Sequence, residues 1–83
     1  MEEKEIGTVT DYFAKISVAA IKLTGALKTG DKIHMKGATT DFKQTVKSMQ
    51  INKKSVEKAN KGKEIGIKTK DRVRKNDKIF LVK

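Results

Sequence analysis

The chain contains no cysteine, no proline and no tryptophan among its 83 residues. Without cysteine there can be no disulfide, no thiolate metal ligand and no cysteine nucleophile, and nothing hints at an oxidising compartment. His34 is the single histidine. One imidazole cannot build a multi-histidine metal site, and the sequence nominates no nucleophile or carboxylate beside it for acid–base work. Flanked by Ile33 and Met35, His34 is expected to face outward from a strand. Three Phe and one Tyr are too few for an aromatic platform that stacks single-stranded bases. No apolar run approaches the roughly 20 residues that cross a bilayer. The opening MEEKEIG lacks the apolar region of a signal peptide. A cytoplasmic protein away from membranes is expected.

Positive charge is abundant. Lys and Arg number 20 against 10 Asp and Glu, a formal net charge of +10. Up to Thr40 the count is six basic against five acidic residues, or +1; from Asp41 onward it is fourteen against five, or +9. A small chain with so lopsided a second half invites an anionic partner, RNA or a ribosomal surface foremost. A Lys-rich solvated surface is the plainer alternative. At this length a single domain over residues 1–83 is expected, with a thin core.

Two phrases repeat. Thr29-Gly30-Asp31-Lys32-Ile33 and Lys75-Asn76-Asp77-Lys78-Ile79 both place a residue tolerant of positive φ before Asp-Lys-Ile. Each reads as a tight turn feeding a strand. Around them, Glu5 to Phe13 and Ile16 to Leu23 form a hairpin-like pair, and Lys32 to Lys36 a short strand. Thr40 to Asn52 is the longest extended stretch. Within it Phe42 and Val46 share one parity and Met49 and Ile51 the other, so a bulge or sharp bend is expected near Lys47-Ser48. Ser55 to Lys61 could supply one helical turn, but a strand edge leading into a turn at Asn60 to Gly62 is the better reading. Strands follow at Lys63 to Thr69 and Lys78 to Val82. Strand-sized segments and frequent turns point to an all-β fold, a small closed antiparallel Greek-key barrel of about six to seven strands.

Chemistry-bearing motifs are scarce. Gly25 to Lys32, GALKTGDK, imitates a phosphate loop, but Asp31 stands where the lysine must follow the second glycine. No nucleotide, cofactor or metal site is expected. No nucleophile-elbow motif frames any serine, and a catalytic role is not expected. The basic residues remain: Lys43, Lys47, Lys53, Lys54, Lys58, Lys61, Lys63, Arg72, Arg74 and Lys75. Lys43, Lys47, Lys53 and Lys54 are expected to form a phosphate-tracking strip, since lysine contacts give affinity without base reading.

The whole chain from Ile6 to Val82 resembles a known module. Gly7 and Val9 match a Gly-x-Val opening strand, and Gly30, Asp31 and Ile33 match a GD-x-I turn. Val46, Ser48 and Met49 match V-x-S-M; Ala59, Gly62 and Gly66 match A-x-x-G-x-x-x-G; Asp77 and Ile79 match the closing D-x-I/V. This pattern is similar to the second, β-barrel domain of translational GTPases such as elongation factor Tu, elongation factor G and initiation factor two, here free-standing. A similar barrel also ends U32-type peptidases as an accessory module. The first resemblance implies contact with rRNA, tRNA or the ribosome in a translation-related role. In relatives that carry aminoacyl-tRNA, an acidic residue and an Arg stand where Gln50 and Lys53 stand here. Neither replacement preserves the chemistry that holds an acceptor end. The second resemblance implies a module that docks a protein partner, such as an enzyme. Oligomeric state is left open.

Overall fold

A computed structural model describes residues 3–82 of the protein. It contains ten strands and, among the described residues, no helix: β1 (Glu3–Phe13), β2 (Val18–Leu23), β3 (Leu27–Lys28), β4 (Lys32–Lys36), β5 (Asp41–Thr45), β6 (Met49–Ile51), β7 (Lys54–Val56), β8 (Lys58–Ala59), β9 (Glu64–Lys68) and β10 (Lys78–Val82). Eight form one antiparallel sheet in the order β5-β4-β10-β1-β2-β9-β6-β7, and β3 pairs with β8 in a separate ribbon.

The two repeated phrases make the same turn. Gly30 and Asn76 have φ of 93° and 76°, a region that costs glycine nothing and asparagine little. The following aspartates close each turn in the same way. Asp31 accepts from the Lys28 N–H at 3.1 Å, and Asp77 from the Arg74 N–H at 2.8 Å. Each turn then grips one buried valine through both backbone groups. The Gly30 N–H donates to the Val46 carbonyl and the Val46 N–H to the Asp31 carbonyl, both at 2.8 Å. The Asn76 N–H donates to the Val9 carbonyl and the Val9 N–H to the Asp77 carbonyl, again at 2.8 Å. The strands launched by the two turns, β4 and β10, lie side by side with Ile33 opposite Leu81 and Lys36 opposite Lys78. The repeat therefore marks a local two-fold relation, β5-β4 against β1-β10.

Alternation along these strands builds one core. Ile6, Val9, Ile21, Leu23, Ile33, Met35, Ile65, Ile67 and Ile79 point to one side and are almost wholly covered. Val46 and Met49 are both buried although they have opposite parity. Residues 46–48, between β5 and β6, leave the ladder to make this possible. The bend expected at Lys47-Ser48 is thus present. Ser55 to Lys61 forms β7, β8 and the start of a turn rather than a helix, and Gly62 takes φ of 91°.

The expectation of a closed barrel with six to seven strands is corrected. Among the described residues no ladder joins the two ends of the eight-stranded sheet, and the strands number ten because irregular turns split the extended stretches. A side chain spans the gap between β5 and the end of β9. Gln44 Nε2 donates to the Lys68 carbonyl and its Oε1 accepts from the Lys70 N–H, each at 2.9 Å. An amide side chain reproduces one peptide's worth of pairing, which holds the seam without continuing a strand.

Candidate interaction surface

Three features stand out on the surface: an apolar hairpin tip, a lysine-bearing groove at the seam, and a histidine held between carboxylates. The tip belongs to the β1–β2 hairpin. The Glu5 to Phe13 and Ile16 to Leu23 pair expected from the sequence is present, but β2 starts at Val18, and residues 14–17 form the turn. Ser17 has φ of 56° there. The turn carries Ile16 out of the sheet, leaving it 61% exposed beside Phe13 at 48%, the two exposed large hydrophobic residues among those described. Phe13 also lines a groove of about 320 Å³ with Val18, Ala20, Ile65 and Gly66 and the polar residues Gln50, Asn52, Lys53 and Glu64. Two large apolar side chains beside a concave surface form the kind of patch that partners cover. Strand-sized runs of Ile and Phe hide this in sequence, because only the turn geometry decides which of them leave the core.

The seam groove, about 590 Å³, is lined by Gln44, Thr45, Lys47, Ser48, Lys68, Thr69 and Lys70. All its charges are lysines, and the Lys70 ammonium also sits 5.9 Å from the centre of the Phe42 ring.

His34 departs from its expected role as a simple outward-facing residue. It does face away from the core, whose adjacent members Ile33 and Met35 are fully buried, yet it is only 9% exposed. Glu3 accepts from Nδ1 at 2.9 Å and Asp41 binds Nε2. Hydrogen bonding to Asp41 and then to Glu3 raises the histidine's pKa, outweighing burial. The same bonds from His34 lower the pKa of both carboxylates, with Lys43 and Lys36 adding in each case. Phe80, opposite His34 on β10, has its ring centre 6.4 Å away, tilted by 49°. The carboxylates address opposite ring nitrogens, so they cannot converge on one metal ion with the imidazole, and no cluster of three metal-ligating side chains occurs among the described residues. Sequence offered no signal for this triad, since Glu3 and Asp41 are brought to His34 only by strand pairing.

The predicted basic residues fall on several elements of the fold. Lys43, on β5, is turned toward Glu3 at 3.8 Å. Lys47 belongs to the seam groove and Lys53 to the hairpin-tip groove. Asn52 and Lys53, with φ of 52° and 66°, form the two-residue turn between Ile51 and Lys54. Lys58 pairs across the small ribbon with Lys28, and Lys61 and Lys63 flank the turn at Gly62. Arg72, Arg74 and Lys75 lie in the loop before β10, where Arg74 Nε donates to Thr39 at 2.9 Å. Of the four lysines expected to form one strip, Lys43 faces Glu3, Lys47 lines the seam groove, Lys53 lines the hairpin-tip groove and Lys54 begins β7.

No protein-family model matches the chain. It is 48% identical over 80 residues to an uncharacterized protease of Methanocaldococcus jannaschii, covering 95% of this chain and 20% of that protein. A collagenase of Porphyromonas gingivalis is 36% identical over 77 residues, covering 90% of this chain and 21% of that protein. The chain thus spans about one fifth of the length of the curated relatives it matches. Among solved structures, the C-terminal domain of a Geobacillus thermoleovorans protein described as a U32 peptidase superposes with a TM-score of 0.90 at 14% identity, over 96% of this chain and 93% of that domain. Its selenomethionine variant gives 0.88 at 15% identity. These findings overturn the translational-GTPase resemblance and the ribosomal, RNA-binding role drawn from it: identity over nearly the whole chain lies with a protease and collagenases, and the matching solved structures are C-terminal domains described as U32 peptidase.

Proposed function

We propose that residues 1–83 form one non-catalytic accessory domain that docks on a peptidase-type body, in the same or a separate chain, through the β1–β2 hairpin tip. The carrying observation is that nearly all of this chain matches one fifth of a protease, leaving four fifths of that relative to house other parts. The fold matches a domain that was itself crystallised apart from the rest of a U32 peptidase. Phe13 and Ile16 supply the apolar anchors, and the groove beside Phe13 receives a side chain from the body. Gln50, Asn52, Lys53 and Glu64 supply its polar lining.

The test combines this chain with the M. jannaschii relative from which the matching 80 residues have been deleted. Calorimetric titration should detect a complex, and Phe13→Ser with Ile16→Ser should weaken it by about tenfold or more, since central aromatic and aliphatic anchors contribute most of an interface's energy. Lys61→Ala with Lys63→Ala, at the turn around Gly62, should leave it unchanged. Absence of a complex, or equal loss in both pairs of variants, refutes the assignment.

A further inference from the structure

The Glu3–His34–Asp41 cluster spans four neighbouring strands. In the sheet order β5-β4-β10-β1, Asp41 lies on the first, His34 on the second and Glu3 on the fourth. The imidazole reaches over β10 beside Phe80 to meet Glu3 at 2.9 and 3.0 Å, and turns its other nitrogen to Asp41 on the outermost strand. Two carboxylates accepting from both ring nitrogens require two N–H groups, which only the imidazolium has. The neutral ring keeps one donor, and its bare nitrogen then faces a carboxylate oxygen, so one of the two contacts must open.

Which contact opens follows from the surroundings. From β1, Glu3 faces the ring, and Glu5 is turned to Lys78 at 4.0 Å. From β4 itself, Lys36 acts on both carboxylates; from β5 come Asp41 and Lys43; β10 presents the uncharged Phe80 and, opposite Lys36, the Lys78 that Glu5 faces. Lys43 lies 3.8 Å from Glu3, whose side chain is 28% exposed, whereas the Asp41 side chain is 70% exposed. Asp41 loses least by turning to water.

We propose that His34 is a proton-operated clasp that, while doubly protonated, ties the outermost strand β5 to the sheet through Asp41, and that loses its hold on β5 when the proton leaves. β5 is an end strand of the sheet, and its outer side is tied to the end of β9 through the Gln44 side chain rather than through a ladder. The clasp therefore governs how firmly this seam strand is held to the sheet. The pKa of His34 is raised in the fold by Asp41 and Glu3, so its contribution is complete below the ordinary histidine value of about 6.5 and is lost as pH rises through the higher folded value. Both carboxylates are shifted down, so their side of the clasp persists until the solution falls well into the acid range.

The decisive experiment follows the His34 ring by NMR titration alongside amide hydrogen exchange, corrected for intrinsic rates, from pH 6 to 9. Protection in β5, at Phe42 to Thr45, should fall at least about threefold as the ring loses its proton, while amides of the β2–β9 ladder such as Ile21 and Ile65 stay constant. Asp41→Asn should flatten the pH dependence in β5, and His34→Gln should do the same. Constant β5 protection across the titration overturns the clasp. So does an unchanged pH dependence in Asp41→Asn, or an equal fall in β2 and β9, which would signal general loosening.

Discussion

Replacing Gly37 with alanine tests whether the second copy of the repeated turn is held by its buried aspartate. Gly37 lies directly after β4, where its N–H donates to the Thr40 carbonyl at 2.7 Å. A Cβ built there falls 1.9 Å from Asp77 Oδ1 and 2.5 Å from its Cγ, far inside contact distance. The Asp77 side chain cannot simply swing aside, because it is 5% exposed and its other oxygen caps the Arg74 N–H at 2.8 Å. Moving it sacrifices a hydrogen bond to a charged acceptor, worth about 1.5–3 kcal/mol, and leaves a poorly solvated N–H behind. The φ of Gly37 lies outside the left-handed region, so the loss is steric and not conformational. Gly37→Ala should therefore destabilise by about 2–4 kcal/mol. For a domain of this size each kcal/mol lowers Tm by about 4–8 °C. Asp77→Ala alone should cost a similar amount. In the Asp77→Ala background the obstruction is gone, and Gly37→Ala should be neutral or stabilising by up to about 1 kcal/mol through the unfolded chain. Thermal and urea unfolding of the four proteins closes the cycle, with an expected coupling of about 2 kcal/mol or more. Equal costs for Gly37→Ala in both backgrounds, or a cost under about 0.5 kcal/mol in the parent, would refute the reasoning.

The first copy of the turn should respond less: the Asp31 cap is longer, at 3.1 Å, and exposed, so Asp31→Ala should cost about 0.5–1 kcal/mol by urea unfolding. Lys53→Gly relieves a side chain held at φ of 66° and should stabilise by up to about 1 kcal/mol in the same assay. Ile21→Ala empties a fully buried position and should cost about 2–5 kcal/mol. Gln44→Ala removes both bonds across the seam; exchange of the Lys70 amide should accelerate markedly, while that of Ile21 follows only the global change in stability.

Much of the local structure was legible because its causes are local. Gly30 and Asn76 announce positive φ, the aspartates after them announce the caps, and alternation announces β4, β9 and β10. The parity break between Val46 and Met49 even located the bend at residues 46–48. Closure was not legible in the same way. Whether β5 joins β6 and β9 through a ladder or through the Gln44 amide depends on strand curvature, which no single segment encodes.

The candidate sites lay largely beyond the sequence. Lysine density suggested one continuous strip, but strand parity says nothing about which acid lies across the sheet, and Glu3 claims Lys43. His34 looked unaccompanied because its partners stand 31 residues before it and 7 after it, joined only by pairing across β10 and β4. Phe13 and Ile16 looked like ordinary strand residues until the turn at residues 14–17 set them outside. The sequence by itself determined the all-β character, the two matching turns and the excess of positive charge, because these follow from single residues and their nearest neighbours. Only the tertiary structure decided the open sheet, the His34 triad and the exposed tip, because each depends on which distant strands are hydrogen-bonded side by side.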